Sequence, residues 1–325
     1  MIDINKFKNK TILITGVNGL IGGTLTDYFC NINEKYNLGI KLILTSLSSS
    51  QNASRVNHLF FKDYIEYISH DLSIPFKLPS NNIGYVFYCS GYGQPKKFND
   101  KFEATCFINT VGLNSILKQV KNTGCTVCYM SSSEIYGEAG SSVKEDNMGK
   151  YSVENNRSIY ITSKRLGESL MLKYKDTVNI KIMRISLAYG PGISWTDDRV
   201  MQDFIRKAKS GIIDMRDDGL DVRYYNFIDN CIEMILNTTV HGKENIYNIA
   251  NSTEQITIYG LAKTIQSVFN PKCKIILGGK KTSNSPDVVS MNIDRYIKEF
   301  GLPNFISLHE GLKRIKKDFE KRELI

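Results

Sequence analysis

Histidine is scarce in this 325-residue chain: there are four, and no two stand at a spacing that would let them share a metal ion. Cysteines number seven, an odd count that suits no closed disulfide framework and leads us to expect a reducing, cytoplasmic setting. Cys125 and Cys128 form a CxxC, but they fall in the strand-like run CTVCYM, where residues three apart face opposite ways. Metal chemistry is therefore not expected. No apolar run approaches the length of a membrane span, and no signal peptide precedes the first strand-like segment, so no membrane partner is expected. Internal repeats, low-complexity tracts and long linkers are missing as well.

Acid is outweighed by base, 33 Asp and Glu against 42 Lys and Arg, for a formal charge of +9. That excess favours anionic partners such as nucleotides and phosphates. Its densest cluster, in residues 313–322, coincides with Leu308, Leu312, Ile315 and Phe319 at helical spacing. A packed amphipathic helix with a solvated face is the expectation there, and no nucleic-acid partner.

What the chain does contain is alternation. Short apolar runs at 11–15, 41–45, 64–69, 85–89, 126–130 and 180–185 are separated by helical patterns beginning near Leu20, Phe102 and Ile159. Strands divided by helices imply right-handed crossovers and a parallel sheet, so the expected fold class is α/β, a Rossmann-type doubly wound sheet. Past Ala188 the alternation loosens, with helices expected at 200–209, 231–237 and 258–269. We divide the chain into a dinucleotide-binding part, 1–188, and a smaller α/β substrate-binding part, 189–325, with the chain crossing between them.

The first strand runs into TGVNGLIGG, placing Gly16, Gly19 and Gly22 three apart before a helix. Glycines allow the tight turn and let the N–H groups of Leu20 and Ile21 approach a pyrophosphate at the helix start. At the end of the second strand no acid is available for an adenosine ribose, and Arg55 follows ten residues after Thr45. This favours NADP slightly over NAD, although Arg55 reads equally well as an exposed loop residue. Asp71, after the third strand, suits either the adenine amino group or a turn cap.

Downstream, YMSSSEIYGE spans Tyr129 to Glu138 where a buried strand should end, and YITSK supplies Tyr160 and Lys164 one helical turn apart. A tyrosine of pKa about 10 is a poor base at neutral pH, and an adjacent ammonium would lower it. Together with YCSGYGQP from Tyr88, Asn109 and Gly112, Asp71 and Leu72, AYGPG from Ala188, RYYNFID from Arg223, and Pro286 with Asp287, these stretches resemble the extended short-chain dehydrogenase/reductase family. The similarity is to its nucleotide-sugar epimerase, dehydratase and decarboxylase branch, and it covers essentially the whole chain.

The resemblance implies a tightly bound NAD(P), a nucleotide-diphosphate sugar as substrate, and a homodimer. It implies Ser132, Glu134, Tyr160 and Lys164 as catalytic residues. For the cofactor it implies Gly16, Gly19, Leu20, Ile21, Gly22, Asp71, Leu72, Asn109, Tyr160 and Lys164, and for the substrate Ser133, Tyr189, Arg223 and Asn284. Ser133 and Glu134 after the catalytic serine match one form of the sugar 4,6-dehydratases, which we favour. RSIYITSKRLGE from Arg157 and DDRVMQDFI from Asp197 are similar instead to UDP-glucuronate decarboxylases, but those carry an arginine where this chain has Asn284. A C4 epimerase and an NADPH-dependent 4-ketosugar reductase use the same Ser-Tyr-Lys set. A non-catalytic dinucleotide sensor would have no need of it.

Overall fold

The computed structural model describes residues 2–280 and 288–325. In chain order its elements are β1 (Thr11–Thr15), α1 (Leu20–Tyr36), β2 (Lys41–Ser46), β3 (Ile65–Ser69), β4 (Tyr85–Tyr88), α2 (Pro95–Asp100) and α3 (Phe102–Phe107). There follow a π turn at Ile108–Gly112, α4 (Leu113–Gln119), β5 (Thr126–Ser132), a 3-10 turn at Ser133–Tyr136, α5 (Ser158–Lys173), β6 (Asn179–Ile185) and β7 (Ala188–Tyr189). The remainder comprises α6 (Val200–Ser210), β8 (Ile212–Asp214), β9 (Val222–Arg223), β10 (Asn226–Phe227), α7 (Ile228–His241), β11 (Ile246–Ile249) and β12 (Ile256–Thr257). Last come α8 (Ile258–Phe269), β13 (Lys274–Ile276), β14 (Val288–Val289), α9 (Asp294–Phe300) and α10 (Leu308–Lys321).

Seven parallel strands form the central sheet in the order β11-β6-β5-β4-β1-β2-β3. The order in which successive strands are added reverses between β1 and β4, and the crevice above that junction is where such sheets take ligands. Side chains alternate across the strands. Ile12, Ile14, Phe87, Cys128, Met130 and Met183 belong to the core on one face, and Leu13, Val86, Tyr88, Val127, Tyr129 and Ile182 to the core on the other. Cys125 and Cys128 fall in different cores, as their spacing on a strand requires. None of the described helices is long and apolar enough to cross a membrane.

The C-terminal portion does not stand apart from this sheet. Its strand β11 pairs along β6, Ile246 opposite Ile182 through Ile249 opposite Ile185, and so completes the sheet from beyond residue 188. Helix α10 has Leu308, Leu312, Ile315 and Phe319 all buried, the stripe read from the sequence. Each such side chain contributes about 1.5–3 kcal/mol on burial, which accounts for a helix with so many lysines docking firmly.

Candidate functional site

The ends of β1, β2 and β4 converge on the glycine turn. Gly16 accepts no larger residue: its φ is +66°, and a Cβ would come within 2.8 Å of the Cys89 carbonyl oxygen. At Gly22 a Cβ would meet the Gly16 carbonyl at 2.6 Å. Thr15 Oγ1 accepts from the N–H groups of Cys89 and Ser90, at 3.0 and 3.1 Å, tying β1 to the β4 exit. With backbone so close on one side, α1 opens with Leu20 and Ile21 at its N-terminus, and the turn fits a dinucleotide pyrophosphate.

Beside it, β5 delivers Ser132 and α5 delivers Tyr160 and Lys164. Ser132 caps the 3-10 turn by accepting from the Glu134 N–H at 3.2 Å, and its hydroxyl lies where it acts to lower the pKa of the Tyr160 phenol. Phe98 of α2 stacks on the Tyr160 ring with centroids 4.6 Å apart. Lys164 is 4% exposed, donates to the Met130 carbonyl at 2.7 Å and lies over the Tyr129 ring. The structure thus brings Ser132, Glu134 and Tyr160 together, with Lys164 one turn further along α5.

Burial dominates their protonation. It pushes Tyr160 up to about 12 against the opposing effect of Ser132, and it pulls Lys164 down to about 8. The expected lowering of Tyr160 by Lys164 is corrected: the ammonium is turned to Met130, and the cations acting on the phenol are Arg199 and Arg157. Burial also raises the Glu134 carboxyl, while its ion pair with Arg157 opposes that rise.

The remaining sequence-derived positions divide. Asn109 is buried within the π turn, donating to Thr105 O and Ser163 Oγ and accepting from the Tyr129 hydroxyl at 2.9 Å. Asp71 caps a turn, accepting from the Ser73 N–H at 2.8 Å, and the side chain of Leu72 packs into the core. Ser133 sits partly exposed at the head of the 3-10 turn. Tyr189 is corrected as a substrate ligand. Its hydroxyl is aimed at Gly311 of α10 and its ring packs edge-on against Tyr225 and Phe227, so it belongs to the core. Arg223 pairs with Asp221 at 3.0 Å, one of the two readings open to it. Asn284 lies outside the described residues.

Three contributors went unassigned in the sequence. Phe98 belongs to a helix too short to show periodicity. Arg157 sits three residues before Tyr160. Arg199 chelates Asp197 through Nε and Nη2, at 3.0 and 2.8 Å, and its charge acts on both Tyr160 and Tyr225. The signal for Arg199 is the pattern Asp-x-Arg at 197–199, repeated at 221–223. Beneath the site, Glu168 accepts from Arg184 Nη2 at 2.8 Å and Ser131 Oγ at 2.5 Å, and Arg184 reaches the Tyr136 hydroxyl at 2.9 Å.

Curated proteins similar to this chain include UDP-glucuronic acid decarboxylase 1 of Arabidopsis thaliana, 26% identical over 98% of this chain and 71% of that protein. UDP-glucuronic acid decarboxylase 3 of the same plant is 27% identical over 97% and 90%. Among solved structures, UDP-glucuronic acid 4-epimerase from Bacillus cereus, in complex with UDP-glucuronic acid and NAD, superposes with a TM-score of 0.79 at 20% identity, covering 96% of this chain and 99% of that one. The NAD-dependent NDP-hexosamine 5,6-dehydratase of tunicamycin biosynthesis gives 0.79 at 16% identity, covering 97% and 99%. The model of the NAD dependent epimerase/dehydratase family matches residues 12–250. With the glycine turn and the Ser-Tyr-Lys constellation in place, this match means that the chain belongs to the NAD dependent epimerase/dehydratase family.

Proposed function

We propose that this enzyme acts on a nucleotide-diphosphate sugar by transient oxidation at C4, and that the net reaction is a dehydration giving a 4-keto-6-deoxy sugar. The observation that carries the dehydration is Glu134, a carboxylate on the turn that Ser132 caps, raised by burial and within the field of the Tyr160 phenol. Tyr160 takes the proton of the sugar 4-hydroxyl while Ser132 holds that oxygen, positioned help worth ~10²–10⁴-fold. What a bound dinucleotide supplies is the hydride acceptor at C4 and, after elimination, the donor at C6. A ketone at C4 acidifies the C5 hydrogen; Glu134, its carboxylate held by Arg157, takes that proton and passes it to the C6 hydroxyl, which leaves as water, and C5 regains a proton from solvent when hydride reaches C6.

Arg223 supports the diphosphate in this reading, its guanidinium held by Asp221 and the Val222 carbonyl. We assign NAD as the cofactor, because Arg55, on which an expectation of NADP rests, has its guanidinium on Asp27. We also propose a homodimer through the adjacent helices α3 and α5, which leave Phe102, Phe107 and Leu166 exposed.

A second reading, decarboxylation of a hexuronate, is favoured by a different observation. Arg157 and Arg199 both act on Tyr160, two cations near the reacting centre that would suit a hexuronate carboxylate, and the curated relatives named above are decarboxylases. Mass change separates the two on a panel of nucleotide sugars: loss of about 18 units is dehydration, loss of about 44 is decarboxylation, and no change is epimerisation. Glu134→Gln keeps the shape but removes the base, so reduced nicotinamide and a 4-keto sugar should accumulate without C5 exchange in deuterated water. Parent enzyme that turns over its substrate with no solvent deuterium at C5 overturns the dehydration.

A further inference from the structure

Arg55 stands nine residues beyond the end of β2, in the segment that leads to β3. Its Nη2 donates to Asp27 of α1 at 2.5 Å. Its stem lies on Gly23: a Cβ there would come within 2.8 Å of both Cγ and Nε. From the opposite side Gly192 approaches, where a Cβ would come within 2.7 Å of Nε. The guanidinium is thus held between the first turns of α1 and the loop after β7. That loop is itself fastened to α10, because the Gly192 N–H donates to Asp318 at 3.0 Å and Arg322 donates to the Ile193 carbonyl at 3.0 Å.

Two observations separate this arrangement from a plain structural ion pair. Arg55 Nε is buried, and no acceptor among the described residues meets it. A buried donor without a partner is costly, and an anionic oxygen is the acceptor that best relieves it. The residue against which it lies, Gly23, directly follows Gly22 of the turn that presents backbone N–H groups to a diphosphate. The ribose position is elsewhere, at the end of β2. There Ser46 Oγ is bonded to the Tyr67 hydroxyl at 2.7 Å, whereas the Arg55 guanidinium is on Asp27.

We propose that Arg55 is a ligand of the dinucleotide's diphosphate, closing over the glycine turn beneath Gly192, and that it does not read the 2′ position of the adenosine ribose. The cation then serves retention of the cofactor and is indifferent to NAD against NADP. This rests on membership of an NAD-dependent family and on no particular sugar reaction, so its test uses no sugar substrate.

Cofactor-free parent and Arg55→Gln are titrated with adenosine, ADP, NADH and NADPH. Glutamine keeps the stem on Gly23 and loses the charge. The dissociation constants for ADP, NADH and NADPH should each rise about tenfold or more, the size of one charge-assisted bond, with adenosine changed less than twofold. Loss confined to NADPH makes Arg55 a 2′-phosphate reader and overturns the proposal. Equal loss for adenosine, or no loss at all, overturns it too. Should Arg55→Gln fail to fold, Asp27→Asn serves instead: it frees the guanidinium without removing it, and ADP affinity should hold or improve. A fall in that variant's ADP affinity also overturns the proposal.

Discussion

A lysine ammonium enclosed as Lys164 is has lost most of its water, and the single carbonyl of Met130 replaces only part of it. The cost shows as a pKa pulled down to about 8 from its ordinary 10.5. Since the folded value lies below the unfolded one, the cost is full below pH 8 and fades as pH rises to 10.5. Lys164→Met should therefore abolish turnover yet raise the thermal midpoint of the cofactor-free protein at pH 7. The gain is on the order of 1–3 kcal/mol, less what the lost bond to Met130 takes away. The advantage should shrink between pH 8 and 10.5. Melting curves in which the variant is the less stable at pH 7, or in which the gap ignores pH, would contradict this account. Tyr160→Phe is the companion case: the ring keeps its stack on Phe98, so dinucleotide should stay bound while product formation stops. Near-normal turnover by that variant would remove Tyr160 from the chemistry.

Helix α5 carries two catalytic residues, and one glycine sets its height over the sheet. A Cβ at Gly167 would lie 2.4 Å from the Tyr129 hydroxyl and 3.0 Å from the Asn109 carbonyl. Gly167→Ala should push α5 off β5, costing about 1–3 kcal/mol by overpacking and lowering kcat more than it raises KM. Unchanged stability and kcat would show that the helix has room to spare. At this scale the sequence was informative where periodicity was long. The strand runs, the helices at 20, 200 and 258, and the α10 stripe all stand within a residue or two of their expected places. It was uninformative where elements are brief. Helix α2 spans six residues, and the π turn at Ile108–Gly112 has a hydrogen-bond pattern that composition does not announce. Strand β11 is four residues long and adjoins the sheet only because β6 lies open beside it. Asp229 sits in the first turn of α7 and pairs with Arg314, a partner no local pattern names. Arg199 and Arg157 lie in stretches the sequence singled out, but their action on Tyr160 is set by tertiary approach, which spacing alone does not reveal.

Over the whole molecule, polar contacts bind the two portions beneath the site. Arg184 of β6 holds Glu168 of α5 and donates to the Glu145 carbonyl at 2.6 Å. Glu145 accepts from the Asn248 N–H of β11 at 3.0 Å and faces Arg295 of α9. Removing one member of such a buried pair leaves the other uncompensated, costing about 3–5 kcal/mol. The exposed apolar residues of α3 make the second molecular prediction. Phe107→Asp should shift the protein from dimer to monomer in light scattering, with the melting temperature of the monomer little changed. A parent that is already monomeric at micromolar concentration refutes the proposed interface.

The sheet's dependence on β11 also has a consequence for synthesis. When β6 leaves the ribosome, the strand that will cover it has not yet been translated. Some sixty residues separate Ile185 from Ile249, about three to thirteen seconds at ordinary elongation rates. Through that interval β6 is a bare edge with unpaired backbone groups, the form of strand most prone to join a neighbouring nascent chain. Translation speed up to the emergence of β11 thus becomes a determinant of yield, and slow codons before that point would lengthen the exposure.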